Sequence, residues 1–188
     1  DDLSALSQIE HGSQESYEVI PISYPVEAAI SRANPIAEKR SVSIRYTRPE
    51  SEYFLKGDSI QITSAVYNLI ENAIKYSEEG TGEITVTTLS RENQIELTIQ
   101  DNGIGIPEAS HERVFERFYR VDPSRSRSSG GTGLGLAIVR HVVINHQGSI
   151  ALDSTEGTGS TFTILLPQKD PPETSNDLEQ ADQPLGVN

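Results

Sequence analysis

Two apolar spacings divide this chain. Recurrence every three or four residues marks helices, and strict alternation marks strands. Leu3, Leu6 and Ile9 give a helical piece within residues 1–16 that Gly12 stops. That piece is too short to fold alone and reads as the end of a helix belonging to something upstream. From Pro25 to Arg40, Val26, Ala29, Ile30, Ala33 and Ala37 form one stripe, and Pro35 inside it predicts a kink or break. Val42–Tyr46 and Tyr53–Lys56 read as strands. Asp58 or Ser59 caps a long helix ending near Tyr76. Glu83–Ser90 and Gln94–Gln100 alternate around Arg91–Asn93 and read as a hairpin. Residues 101–132 are rich in glycine, serine and arginine, with a short helix expected near Glu112–Phe118. Leu134–Asn145 is helical, and Ser149–Ser154 with Ser160–Leu166 form a last hairpin. Hairpins demand antiparallel pairing, so the expected fold is an α+β sandwich: a mixed, mostly antiparallel sheet with helices on one face.

The main domain is expected over 17–168. From Lys169 onward the chain is polar and acidic with Pro171-Pro172, and residues 169–188 are expected to be a disordered tail. The net charge of −13 makes nucleic acid or an anionic membrane a poor partner. Residues 117–127 run the other way, with Arg117, Arg120, Arg125 and Arg127 against only Asp122. Such a loop suits an anionic small molecule, or is simply solvated. The absence of cysteine excludes disulfides and thiolate metal sites. No apolar run approaches the roughly 18–20 residues that span a bilayer. The chain opens on Asp1-Asp2 with no signal peptide, so an anchor elsewhere in a longer protein is compatible with it.

Three stretches carry candidate chemistry. Ile62, Val66, Leu69, Ile70, Ala73 and Ile74 share the core arc of the long helix, while Asn68, Asn72 and Lys75 line a stripe on the other side. Amide oxygens are hard ligands for magnesium, and an ammonium meets phosphate. By itself the stripe also fits a solvated face. Asp101 continues the apolar row Ile95, Leu97, Ile99. A carboxylate there wants a specific donor, such as the exocyclic amine of adenine. The glycines of Asn102-Gly103-Ile104-Gly105-Ile106-Pro107 would let backbone face a flat ring, or simply make a turn. Finally, Gly130-Gly131-Thr132-Gly133-Leu134-Gly135-Leu136 opens a helix, where free N–H groups favour phosphate. It is neither a P-loop nor a dinucleotide fingerprint.

Taken in order, these boxes resemble the sensor histidine kinases of two-component systems. Asn68 to Ser77 resembles their N box. Asp101 to Pro107 resembles the first glycine box, Phe115 to Arg120 the F box, and Gly131 to Val139 the second glycine box. Gly157 to Thr161 resembles a final glycine–threonine motif, and the likeness covers about residues 17–167. The resemblance implies the Bergerat-type ATP fold with a flexible lid over residues 118–132. It implies that Asn72 coordinates Mg2+, that Asn68 and Lys75 approach the phosphates with Tyr76 nearby, and that Arg120 reaches the terminal phosphate. Asn68, Lys75 and Arg120 are then the catalytic candidates. Asp101 would accept from the adenine amine, supported through water by Thr161, with Gly103, Gly105 and Ile106 lining the base. Gly131, Thr132, Gly133, Leu134 and Gly135 would meet the triphosphate.

The resemblance further implies a cytoplasmic domain that passes the γ-phosphate of ATP to a histidine in a dimerisation domain, for relay to a response-regulator aspartate. Residues 1–16 resemble the end of that domain, through which alone the protein would form a homodimer. His11, His111, His141 and His146 lack the acceptor's sequence context, which places the acceptor upstream of residue 1. Gyrase-like and chaperone-like relatives place a water-activating glutamate where Asn68 stands, and an amide is no general base. Glu71 is turned roughly 100° from Asn72 and reads as structural. The alternatives are an ATP-hydrolysing relative, against which Asn68 argues, and a non-catalytic nucleotide sensor, against which the complete boxes argue.

Overall fold

The computed structural model describes residues 17–122 and 132–172. The expected helix over residues 1–16, Gly131, Arg125, Arg127 and the tail from residue 173 lie outside the described residues. The first element among the described residues is a short strand, β1 (Glu18–Pro21), that periodicity did not reveal. Then come α1 (Ser23–Lys39), β2 (Ser43–Thr47) and β3 (Phe54–Gly57). The long helix α2 spans Ser59–Tyr76, followed by the hairpin β4 (Glu83–Arg91) and β5 (Gln94–Asp101). Helix α3 (Gly135–Asn145) precedes the last hairpin, β6 (Ser149–Thr155) and β7 (Gly159–Pro167).

Among the described residues, five strands form the main sheet in the order β2-β4-β5-β7-β6, and β1 pairs with β3 in a separate ribbon. Only β2–β4 is parallel; the other pairs in the main sheet are antiparallel. Ile84, Val86, Ile95, Leu97, Ile99, Phe162, Ile164 and Leu166 are buried on one sheet face against the helices. Helix α1 packs on α2, and α2 on α3. This is the expected mixed sheet with helices on one face.

Two local details differ from the pattern's reading. Helix α1 runs through Pro35 without a break. Pro35 and Ser31, whose carbonyl the missing N–H would have met, are both on the exposed side. Ala29, Ala33 and Ala37 stay buried on either side of it, and that packing outweighs the lost bond. The helix expected near Glu112–Phe118 is instead two 3-10 turns, Glu108–Ser110 and Arg113–Phe115. Val114 is buried there, and Phe115 packs edge-on against Phe162, so two anchors replace a helical stripe.

His146 ties the ends of the helical layer together. Its Nε2 accepts from the Asp58 N–H at 3.0 Å, so its proton sits on Nδ1 and is donated to the Val142 carbonyl at 2.7 Å. The ring also stacks on Tyr17, with centroids 4.5 Å apart. Burial holds its pKa below the ordinary value, against the opposing pull of the Val142 carbonyl and Asp58. The unfolded chain takes up a proton near pH 6.5 on this ring, while the folded ring resists it. The neutral ring's contribution to stability is therefore complete above about pH 6.5 and is lost as pH falls from there to the folded value. The slope is at most about 1.4 kcal/mol per pH unit. Urea unfolding at pH 7.5 and 5.5 should show this loss, and His146→Gln should flatten the difference. An unchanged difference in the variant would refute the assignment.

Candidate functional site

Helix α2 sets the frame. The Asp58 carboxylate caps it by accepting from the N–H groups of Ile60 and Gln61 at 2.8 and 3.2 Å. Ile62, Ala65, Val66, Leu69, Ile70, Ala73 and Ile74 are buried. With that face fixed in the core, Asn68, Asn72 and Lys75 are directed along a half-buried stripe. Arg40 holds the helix end by donating to the Lys75 and Ser77 carbonyls at 2.9 and 3.3 Å.

The start of α3 meets this stripe. A β-carbon at Gly135 would lie 3.5 Å from Asn68 Oδ1. No described side chain caps α3 at its N-cap, Leu134. The Leu134 N–H donates to Thr132 Oγ1 at 3.3 Å, and Leu134 itself is buried. The Phe118 N–H donates to the Gly133 carbonyl at 2.9 Å, which fastens the F-box segment to the helix entrance. Phe118 and Val121 expose their side chains just beyond that point.

Lys75 on this stripe feels a second cationic charge. Lys75 is held below the usual lysine pKa first by burial and second by the Arg120 guanidinium; Glu71 pulls the other way. Glu71 Oε1 accepts from the Tyr67 hydroxyl at 2.7 Å. Two cations held near each other favour an anion between them. Lys75 Nζ is also 5.5 Å from the centre of the exposed Tyr76 ring.

At the far end of the stripe, Asp101 stays on the inward face of β5, opposite Ile84 and Ser160. Burial raises its pKa, and the backbone N–H groups of Gly103 and Ser160 lower it. The Gly103 N–H donates to Oδ1 at 2.8 Å. Glycine is demanded at two points of the next loop. A β-carbon on Gly103 would lie 2.6 Å from the Tyr76 carbonyl, and one on Gly105, at φ +68°, 2.1 Å from the Thr155 carbonyl. The loop is held on all sides: the Ile104 N–H donates to the Tyr76 carbonyl and the Gly157 N–H to the Ile104 carbonyl. His111 Nε2 lies 2.9 Å from the Ile106 carbonyl, and the Ile106 N–H donates to Ser154 Oγ at 2.8 Å. His111 is thus a support of the loop.

Thr161 requires a correction. It pairs with Gln100 and Asp153, on the sheet face away from Asp101. Ser160 is the hydroxyl on Asp101's side, and it is buried. Sequence reasoning missed Ser160 and Ser154. For Ser160 the signal was available, since it shares the parity of Phe162, Ile164 and Leu166. Gly131 lies outside the described residues; the remaining predicted residues fall on the α2 stripe, the first glycine loop, the F-box segment or the α3 start.

No described residue hydrogen-bonds the side-chain amide of Asn68 or Asn72. Half-buried amides left unpaired want ligands. Among the described residues no group of three His, Cys, Asp or Glu could hold a metal ion. The amide oxygens of Asn68 and Asn72 are hard donors that fit a cation such as Mg2+, which is usually bound through one or two protein oxygens and substrate phosphates. Asn72 would hold it, with Asn68 alongside.

Residues 57–170 match the family described as histidine kinase-, DNA gyrase B- and HSP90-like ATPase. The sensor-like histidine kinase SenX3 of Mycolicibacterium smegmatis is 48% identical over 158 residues, covering 84% of this chain and 40% of that protein. The sensor histidine kinase WalK of Bacillus subtilis is 44% identical over 135 residues, covering 71% of this chain and 22% of that protein. The chain thus spans less than half the length of these relatives. Among solved structures, the mycobacterial sensor histidine kinase MprB superposes with a TM-score of 0.69 at 31% identity, over 81% of this chain and 98% of that one.

Proposed function

Because this chain belongs to the histidine kinase-, DNA gyrase B- and HSP90-like ATPase family, on its sensor histidine kinase branch, we propose that it binds Mg-ATP and donates the γ-phosphate to a protein histidine. The observation that carries this reading is the half-buried stripe of Asn68, Asn72 and Lys75 meeting the α3 start at Gly135, with the Arg120 charge felt at Lys75. Lys75 and Arg120 stabilise phosphate charge, with Arg120 at the terminal phosphate. Asn72 holds Mg2+, which would neutralise charge on the phosphate oxygens. Asp101 accepts from the adenine amine, with Gly103, Gly105 and Ile106 forming the wall. Thr132, Gly133, Leu134 and Gly135 bring the α3 start to the phosphates, joined by Gly131.

Asn68 faces Gly135 where hydrolytic relatives need a base, so water is a poor acceptor. The acceptor histidine belongs to a dimerisation domain of the same protein. A response regulator takes the phosphate onward. The domain works on the cytoplasmic side, and no described helix is long and apolar enough to cross a membrane.

The test separates binding from transfer. Phosphoryl transfer requires an acceptor nitrogen held in line with the phosphate. The 188-residue chain should bind Mg-ATP yet not label itself. Fusion to the acceptor helices of its parent protein should restore acid-labile labelling on their histidine. Labelling of this chain alone at the fused rate would show the acceptor to be misassigned.

A further inference from the structure

Ser154 lies outside every motif, yet it sits where three parts of the base pocket meet. Its hydroxyl oxygen has one proton and two lone pairs. The Ile106 N–H donates to it at 2.8 Å. The Gly159 carbonyl, 2.9 Å away, can only accept. Ser160 Oγ is 3.0 Å away. All three bonds coexist in one arrangement of protons. Ser154 gives its proton to Gly159, and Ser160 gives its own to Ser154.

That arrangement turns the Ser160 proton away from Asp101. Ser160 stands directly across the ladder from Asp101, on the same sheet face. Its backbone N–H pulls on the Asp101 carboxylate. With the hydroxyl proton withdrawn, the carboxylate and the Ser160 oxygen leave a rim made of acceptors. An amino group brings two N–H donors to such a rim. A carbonyl brings only another acceptor, and the rim then remains unpaired at a cost.

We propose that Ser154 is a positioning residue for base selectivity, acting through Ser160 to favour an amino over a carbonyl substituent at the purine edge. This rests on the adenine reading of Asp101. Without Ser154, the Ser160 hydroxyl rotates freely and donates to a carbonyl.

The test uses the 188-residue chain with ATP and inosine triphosphate, which carries a carbonyl in place of the amino group. Competition against a fluorescent nucleotide gives both affinities, and urea unfolding without nucleotide confirms that each variant folds. One neutral hydrogen bond corresponds to about a 2- to 10-fold effect. Ser154→Ala should therefore narrow the ATP preference by about 3- to 10-fold, and Ser154→Thr should keep it within about twofold. In a Ser160→Ala background, Ser154→Ala should change the preference by less than about twofold, since the residue it acts through is gone. Equal weakening of both nucleotides, or a change that persists without Ser160, overturns the proposal. Failure of the unmodified chain to bind ATP would instead overturn the adenine reading, for which Asp101→Asn is the control.

Discussion

Asn72→Ala is expected to slow phosphotransfer on the order of 100-fold in the fused protein and to remove most of the gain in nucleotide affinity that Mg2+ brings. Asn72 lies on the half-buried stripe of α2, and no described residue bonds its amide. The described residues offer no carboxylate or imidazole cluster that could take over the ion. Deleting the amide therefore leaves Asn68 as the neighbouring neutral oxygen. The helix should survive, because the core face of α2 does not include residue 72 and alanine favours helix. Asn72→Asp separates two effects. It keeps an oxygen ligand but adds negative charge near the phosphates, so metal should still bind while nucleotide affinity falls. Calorimetry with ATP, with and without Mg2+, reads the first effect; radiolabel transfer in the fused protein reads the second. Full transfer by Asn72→Ala would place the metal elsewhere.

Much of this site was legible because its carriers sit on regular elements. Helix α2 combines an Asp58 cap with a clean apolar arc, so the stripe Asn68–Asn72–Lys75 followed from the helical period alone. Asp101 was placed inward by strand parity, and the register bears that out. Thr161 went wrong on the same kind of reasoning left undone. A motif gives the order of residues but not the face, and one step along β7 exchanges the two faces. Strand β1 escaped because Glu18–Pro21 is four residues long and shows no alternation; its partner β3 decides it. The supports of the first glycine loop were also invisible. Ser154 and His111 act through hydrogen bonds to the backbone of Ile106, and sequence spacing holds no trace of such bonds. The approach of Arg120 to Lys75 is likewise tertiary, since the two lie on separate segments joined only by the fold.

Asp101→Asn is expected to weaken ATP binding by about 10- to 150-fold, the equivalent of about 1.5–3 kcal/mol for a hydrogen bond to a charged group. The surroundings of the side chain explain why an amide is a poor substitute. The Gly103 N–H donates to Oδ1 at 2.8 Å, and the Ser160 N–H also favours an acceptor there. An asparagine must turn its oxygen toward those donors. Its NH2 group then faces the pocket, where a donor opposes the adenine amine. The substitution should not harm the fold, because burial already disfavours the ionised carboxyl and raises its pKa. Unfolding without nucleotide should thus show equal or slightly greater stability in the variant at neutral pH. In the unmodified chain, ATP affinity should fall as pH drops through the raised folded pKa, because the protonated carboxyl loses its charge. Bound nucleotide favours the ionised form and so shifts that midpoint downward. Asp101→Asn should lack this pH response. Calorimetry at neutral and mildly acidic pH measures both effects, and unchanged affinity in the variant would place the base in another part of the molecule.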